Sequence, residues 1–125
     1  MEFKSLTLPQ YCPPSHAISQ DLDLVYRFTD YSEVSDADFL THIETGQYNP
    51  KKHNECEANA VSFFDSMTTM TNLQDKHPYF RRKNIASGKI TQECGIHITK
   101  GTHINLWLFK NVDMKKKFLG EEDES

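Results

Sequence analysis

Long apolar runs are missing from this 125-residue chain: nothing in it approaches the roughly 18 to 20 residues needed to cross a bilayer. Met1-Glu2-Phe3-Lys4 likewise lacks the charged and apolar regions of a secretion signal. The expectation is a cytoplasmic protein without a membrane partner; delivery by a contact-dependent injection machine would need no such segment. Cysteine is scarce. Cys12, Cys56 and Cys94 are odd in number and form no close CxxC pair, which predicts free thiols in a reducing compartment and no disulfide framework. Phosphate-cradling glycine loops are absent too, because neither GxGxxG nor GxxxxGK[ST] occurs among the five glycines.

An excess of positive charge is also lacking. The chain carries 14 basic and 18 acidic residues, and four of the acids, Glu121, Glu122, Asp123 and Glu124, stand in the last five positions, so the remainder balances at 14 against 14. A neutral body argues against a nucleic-acid partner, since such binding is driven by phosphate neutralisation and counterion release. The tail over 121–125 is expected to be a disordered, solubilising end.

What is present suits one α+β domain over residues 1–120. Eight Phe, five Tyr and a 37 % hydrophobic fraction are enough for a core without metal or disulfide staples. Residues 1–20 hold three of the five prolines and little periodicity, which reads as an irregular arm. Leu22-Asp-Leu-Val-Tyr-Arg-Phe28 alternates like a strand carrying Arg27 near its end. Ser35-Asp36-Ala37-Asp38 has the form of a capping box, followed by a short helix with Phe39, Leu40 and Ile43 inward and Gly46 as its left-handed stop.

Gln47 to Glu55 reads as an exposed loop, and Ala58 to Phe64 as a buried strand in preference to the opening of a helix. Asp65 or Ser66 caps a helix through Met67, Met70 and Leu73 that ends near His77-Pro78. A second short helix is predicted over Tyr79 to Ile85, closed by Ala86-Ser87-Gly88. Gly95 to Thr99 and Thr102 to Phe109, joined across Lys100-Gly101, form a hairpin with both faces covered, and Met114 to Leu119 a terminal helical turn.

Among residues able to do chemistry, His53-x-x-Cys56 and Cys94-x-x-His97 offer four zinc ligands in two spaced pairs. The alternative is that both cysteines are small half-buried apolar side chains and no metal is held, which is the expectation carried forward. No flanking signature selects a cysteine nucleophile from three cysteines and six histidines. The clusters Arg81-Arg82-Lys83 and Lys115-Lys116-Lys117 are short and separated, as on solvated helix faces. There remain Arg27 on the first strand, Ser62 before two aromatics on a middle strand and His103 on the last strong strand. A charge on a core strand is costly unless it is paired or faces a cleft, so Arg27 is either a structural ion pair or part of a site.

Val25-Tyr26-Arg27, Ser62-Phe63-Phe64-Asp65, Thr102-His103-Ile104-Asn105-Leu106 and Met114, in that order, resemble the ADP-ribosyltransferase-like fold, and within it small type VI secretion effector toxins. The resemblance implies an antiparallel split sheet with two to four short helices that grips NAD. Arg27, Ser62 and His103 would be its catalytic residues, and Arg27, Ser62 and Phe63 would hold the cofactor, with Phe63 or Phe64 against the nicotinamide ring. Active members place a glutamate on a late strand, and residues 96–109 contain no acid; Glu93 is the nearest. The reading from a different class is a non-enzymatic interaction domain of the immunity, antitoxin or adaptor kind. Trp107, Phe109 and the proline-rich arm would then contact a cognate protein partner.

Overall fold

A computed structural model describes residues 2–119; the predicted acidic tail lies outside the described residues. Five antiparallel strands, β1 (Leu22–Thr29), β2 (Val61–Phe64), β3 (Asn84–Ile90), β4 (Gly95–Lys100) and β5 (His103–Leu108), form one sheet in the order β3-β1-β2-β5-β4. With them go four short helices, α1 (Glu55–Ala58), α2 (Met67–Lys76), α3 (Pro78–Arg81) and α4 (Met114–Leu119), and two 3₁₀ turns, Asp36–Phe39 and Gln92–Cys94. The class is α+β, as the sequence patterns indicate.

Alternation along the strands creates the core. Val25, Val61, Phe63, Ile104, Leu106 and Leu108 share one face of the sheet, where Phe39, Met114 and Phe118 close over them. Trp107, on the other face, donates its indole N–H to the Cys56 carbonyl of α1 at 2.9 Å. Phe28 on that face stacks on Phe80 of α3 at 4.6 Å. Trp107 is 2 % exposed and Phe109 packs on Phe3 of the arm, so both faces of the hairpin are covered. Neither aromatic is left as a docking surface.

Several predicted elements stand where expected. β1 and the hairpin do, and α2 is capped by Ser66, whose hydroxyl accepts from the Thr69 amide at 3.2 Å. Two differ. The helix after Ser35 stops at Phe39, because Leu40 is extended and Thr41 with Glu44 starts a fresh reciprocal cap, Glu44 N donating to Thr41 Oγ1 and Thr41 N to Glu44 Oε1, both at 3.1 Å. Gly46, at φ 74°, still ends the turn that follows.

The helix predicted over Tyr79 to Ile85 is one turn, α3, and the following residues form the edge strand β3. Asn84-Ile-Ala-Ser-Gly-Lys-Ile90 carries no clean alternation. It is a strand because β1 needs an antiparallel partner along its length, from Leu22↔Ile90 to Thr29↔Asn84, and its small residues let α4 sit close. A Cβ on Gly88 would stand 2.9 Å from the Phe118 Cα. Gly88→Ala is therefore expected to destabilise the domain by about 1 to 3 kcal/mol through overpacking, read as a lower urea midpoint.

The cysteine expectation is overturned. Cys12 and Cys56 form a disulfide, their Cα atoms 5.6 Å apart, and only Cys94 is free, fully buried. Sequence spacing concealed the pair, since 44 residues separate the two and the arm's path across the surface decides their meeting.

Candidate functional site

β1 and β2 are the weakest seam of the sheet. Every other neighbouring pair runs over four or more partners, whereas these two meet at Tyr26↔Phe64 alone and then part. The Arg27 guanidinium takes the place of the ladder. Its Nη1 donates to the Ser62 carbonyl at 2.6 Å and its Nε to the Asp38 carbonyl of the first 3₁₀ turn. Its planar cation also lies 5.7 Å from the Phe63 ring centroid and 6.0 Å from that of Phe39, within range of cation–π attraction.

The gap opens into a cleft of about 370 Å³, within the usual range for small-molecule sites. Side chains of adjacent strand residues point to opposite faces, yet both Arg27 and Phe28 line it. Phe28, Phe64, Tyr79 and Phe80 form an aromatic wall. Leu40, His42 and Gln47 line it too, as do Glu57 of α1 and Ala60 just after it.

The charges in the cleft are unevenly committed. Asp38 turns its carboxylate back to the Ser35 amide at 2.8 Å and the Asp30 amide at 3.4 Å. Asp30 is ion-paired with Lys83, an interaction that raises the lysine's pKa, while the ammonium also sits 5.0 Å over the Tyr79 ring. Among the described residues Glu57 is ion-paired with an exposed Lys100 alone, at 4.0 Å. Among the described residues Arg27 forms no ion pair, and its hydrogen-bond partners are neutral carbonyls. Burial pushes its pKa down to about 10, against the pull of Asp38 and Asp30, so it remains charged at neutral pH.

Ser62 lines the cleft and its Oγ lies 2.7 Å from His103 Nε2. His103, half-buried against Phe64 at 5.1 Å, has a pKa below its ordinary value because burial disfavours the imidazolium. The neutral imidazole is thereby favoured, and which of Ser62 Oγ and His103 Nε2 donates is set by its tautomer. His42 and His97 are shifted down by burial as well. A histidine held neutral in the fold supports stability above the unfolded value near 6.5, and that support drains away as the pH falls below it and the unfolded chain takes up protons the fold refuses. The urea midpoint is expected to drop between about pH 7.5 and about pH 5, and His103→Gln to flatten part of the drop.

The structure thus brings Arg27 and Ser62 to one cleft with His103 directly behind Ser62. Phe63 lies elsewhere: it is fully buried beneath the guanidinium, and the neighbouring ring on the cleft is Phe64. Glu93 is remote from Ser62, held by Thr91 at 3.0 Å and Lys117 at 3.3 Å. The four zinc-type ligands are not assembled. Cys56 is in the disulfide, Cys94 is held by Thr91, and no group of three or more metal-ligating side chains occurs among the described residues. Nor is any described helix long and apolar enough to cross a membrane. Sequence reasoning missed Glu57, His42, Phe80 and Lys83, which come from three separate stretches whose advance signal was the aromatic pair Tyr79-Phe80 ahead of a basic cluster.

Comparison with protein-family models, with curated proteins and with solved structures gives no match to this chain.

Proposed function

We propose that this chain is an ADP-ribosyltransferase-like domain that binds NAD or a related nucleotide in the cleft between β1 and β2. On this reading it acts in the cytoplasm as a toxin or conflict-system component and meets a cognate protein partner of the immunity type. One observation carries the ligand class. A guanidinium pressed among aromatic rings and open to a cleft, hydrogen-bonded among the described residues only to neutral carbonyls and ion-paired with no acid there, suits the charge that a phosphate would bring. Phe28, Phe64, Phe80 and Tyr79 offer a stacking wall for a planar base, and the Ser62 hydroxyl, backed by neutral His103, offers a donor or acceptor to a sugar or amide.

Residues 96–109 bring no acid to the site, so the reading is first one of nucleotide binding, with Glu57 the least committed carboxylate of the cleft. The interaction-domain alternative drew on Trp107, Phe109 and the arm; Trp107 is buried and Phe109 packs on Phe3, while the arm keeps Leu6 and Tyr11 exposed. A thermal-shift titration with NAD tests the proposal. A saturable rise in Tm that Arg27→Ala diminishes is expected; a flat response of the native protein would overturn it.

A further inference from the structure

The disulfide joins the middle of the arm to a wall of the cleft. The arm is anchored at its start by the bridge of Phe3 to Phe109, the bond from Lys4 N to Leu108 O at 2.9 Å and that from Ser5 Oγ to Asn59 Oδ1 at 2.6 Å. It is anchored again where Ile18 bridges His97 and Ser19 Oγ donates to Gln92 O at 2.8 Å. Between these points, the backbone hydrogen bonds of residues 8–17 to other described residues are local ones, Cys12 N to Pro9 O and Ala17 N to Pro14 O. Their one covalent tie to the body is Cys12 to Cys56. Tyr11, next to it, is 87 % exposed and held at φ 63°, an unfavourable backbone for a bulky aromatic.

At the other end, Cys56 sits in the single turn of α1, too short to stand without outside support. Glu57, the next residue, lines the cleft, and the Cys56 carbonyl takes the Trp107 indole proton. Both sulfur-bearing residues are partly exposed, whereas Cys94 is sealed in the core. Exchange requires a thiolate to reach a sulfur, so exposure separates the two classes.

We propose that Cys12–Cys56 is a thiol–disulfide exchange site whose reduction by a dithiol releases α1 and so loosens the Glu57 wall of the cleft. One thiolate of the dithiol attacks a sulfur of the bond, the S–S bond breaks and a mixed disulfide forms. The second thiol then resolves it. Two electrons and two protons pass to Cys12 and Cys56, and the dithiol leaves as its cyclic disulfide.

The test compares the oxidised full chain with the chain treated with dithiothreitol and capped with iodoacetamide, using mass-resolved alkylation, amide hydrogen exchange and the emission of Trp107, the one tryptophan. Expected are alkylation of Cys12 and Cys56 but not Cys94, at least tenfold faster exchange over residues 55–60 with the β4 and β5 hairpin unchanged, and an altered Trp107 emission. Cys12→Ser/Cys56→Ser should show the same loosened exchange and ignore dithiothreitol. Resistance of the bond to dithiothreitol, equal exchange of α1 in both states, or loss of protection across the whole hairpin would overturn the proposal.

Discussion

Arg27→Ala is expected to weaken NAD binding roughly tenfold to a hundredfold while leaving the circular dichroism spectrum intact. The range follows from charge-assisted hydrogen bonds, each contributing about 1.5 to 3 kcal/mol where the partner would otherwise be left unpaired, at 1.4 kcal/mol per factor of ten. For a domain of this length, unfolding entropy near Tm makes 1 kcal/mol about 4 °C. NAD at about a hundred times its Kd would stabilise the native protein by about 2.7 kcal/mol, a rise of about 10 °C. At the same NAD concentration a hundredfold weaker variant should rise by about 2 °C.

Arg27→Lys separates charge from geometry. Lysine keeps the cation but has no planar fork to bridge Ser62 O, Asp38 O and a ligand together, so an intermediate Kd is expected. If alanine and lysine both bind NAD as the native protein does, the guanidinium is only a splint between β1 and the first 3₁₀ turn. The assignment of the ligand's phosphate to Arg27 then fails.

The second large effect concerns two adjacent phenylalanines. Phe63 is completely buried, 5.1 to 6.4 Å being the span of ring distances within its cluster with Phe39 and Phe118. Phe63→Ala is expected to cost about 3 to 5 kcal/mol, the usual toll for emptying an aromatic site. Against a total of about 5 to 15 kcal/mol for a domain, that is a large share, visible as a lower urea midpoint at unchanged m-value. Phe64 is half-buried, edge-on to Phe28 at 6.2 Å and near His103. Its alanine variant should lose about 1 kcal/mol of stability but most of the stacking available to a planar ligand. Reversal of the two outcomes would place the ligand on the wrong side of β2.

How far the residues announced this arrangement depends on the range of the interaction concerned. β1, the β4 and β5 hairpin, the Ser66 cap and the Gly46 turn were legible because each is decided by neighbours a few positions away: alternation, a capping hydroxyl, a residue at positive φ. Arg27 stood out for a similar reason, since a charge inside an apolar strand pattern needs an explanation wherever the strand lies. Ser62 and His103 were singled out by their places on a middle and a late strand, and the resemblance gave them a role.

The remainder was decided in three dimensions. β3 is a strand because β1 has an edge to fill, although its own residues lack the pattern. The single shared pair between β1 and β2, which opens the cleft, arises from where two strands 40 or so positions apart diverge, and no window of sequence records that. Glu57, His42 and Lys83 join the site by the same accident of folding. So do Cys12 and Cys56, whose spacing predicted free thiols. The sequence by itself determined an α+β domain with a cation on its first strand, because period and burial are local demands; only the tertiary structure decided what faces that cation and which cysteines meet, because both are contacts between residues that chain order keeps far apart.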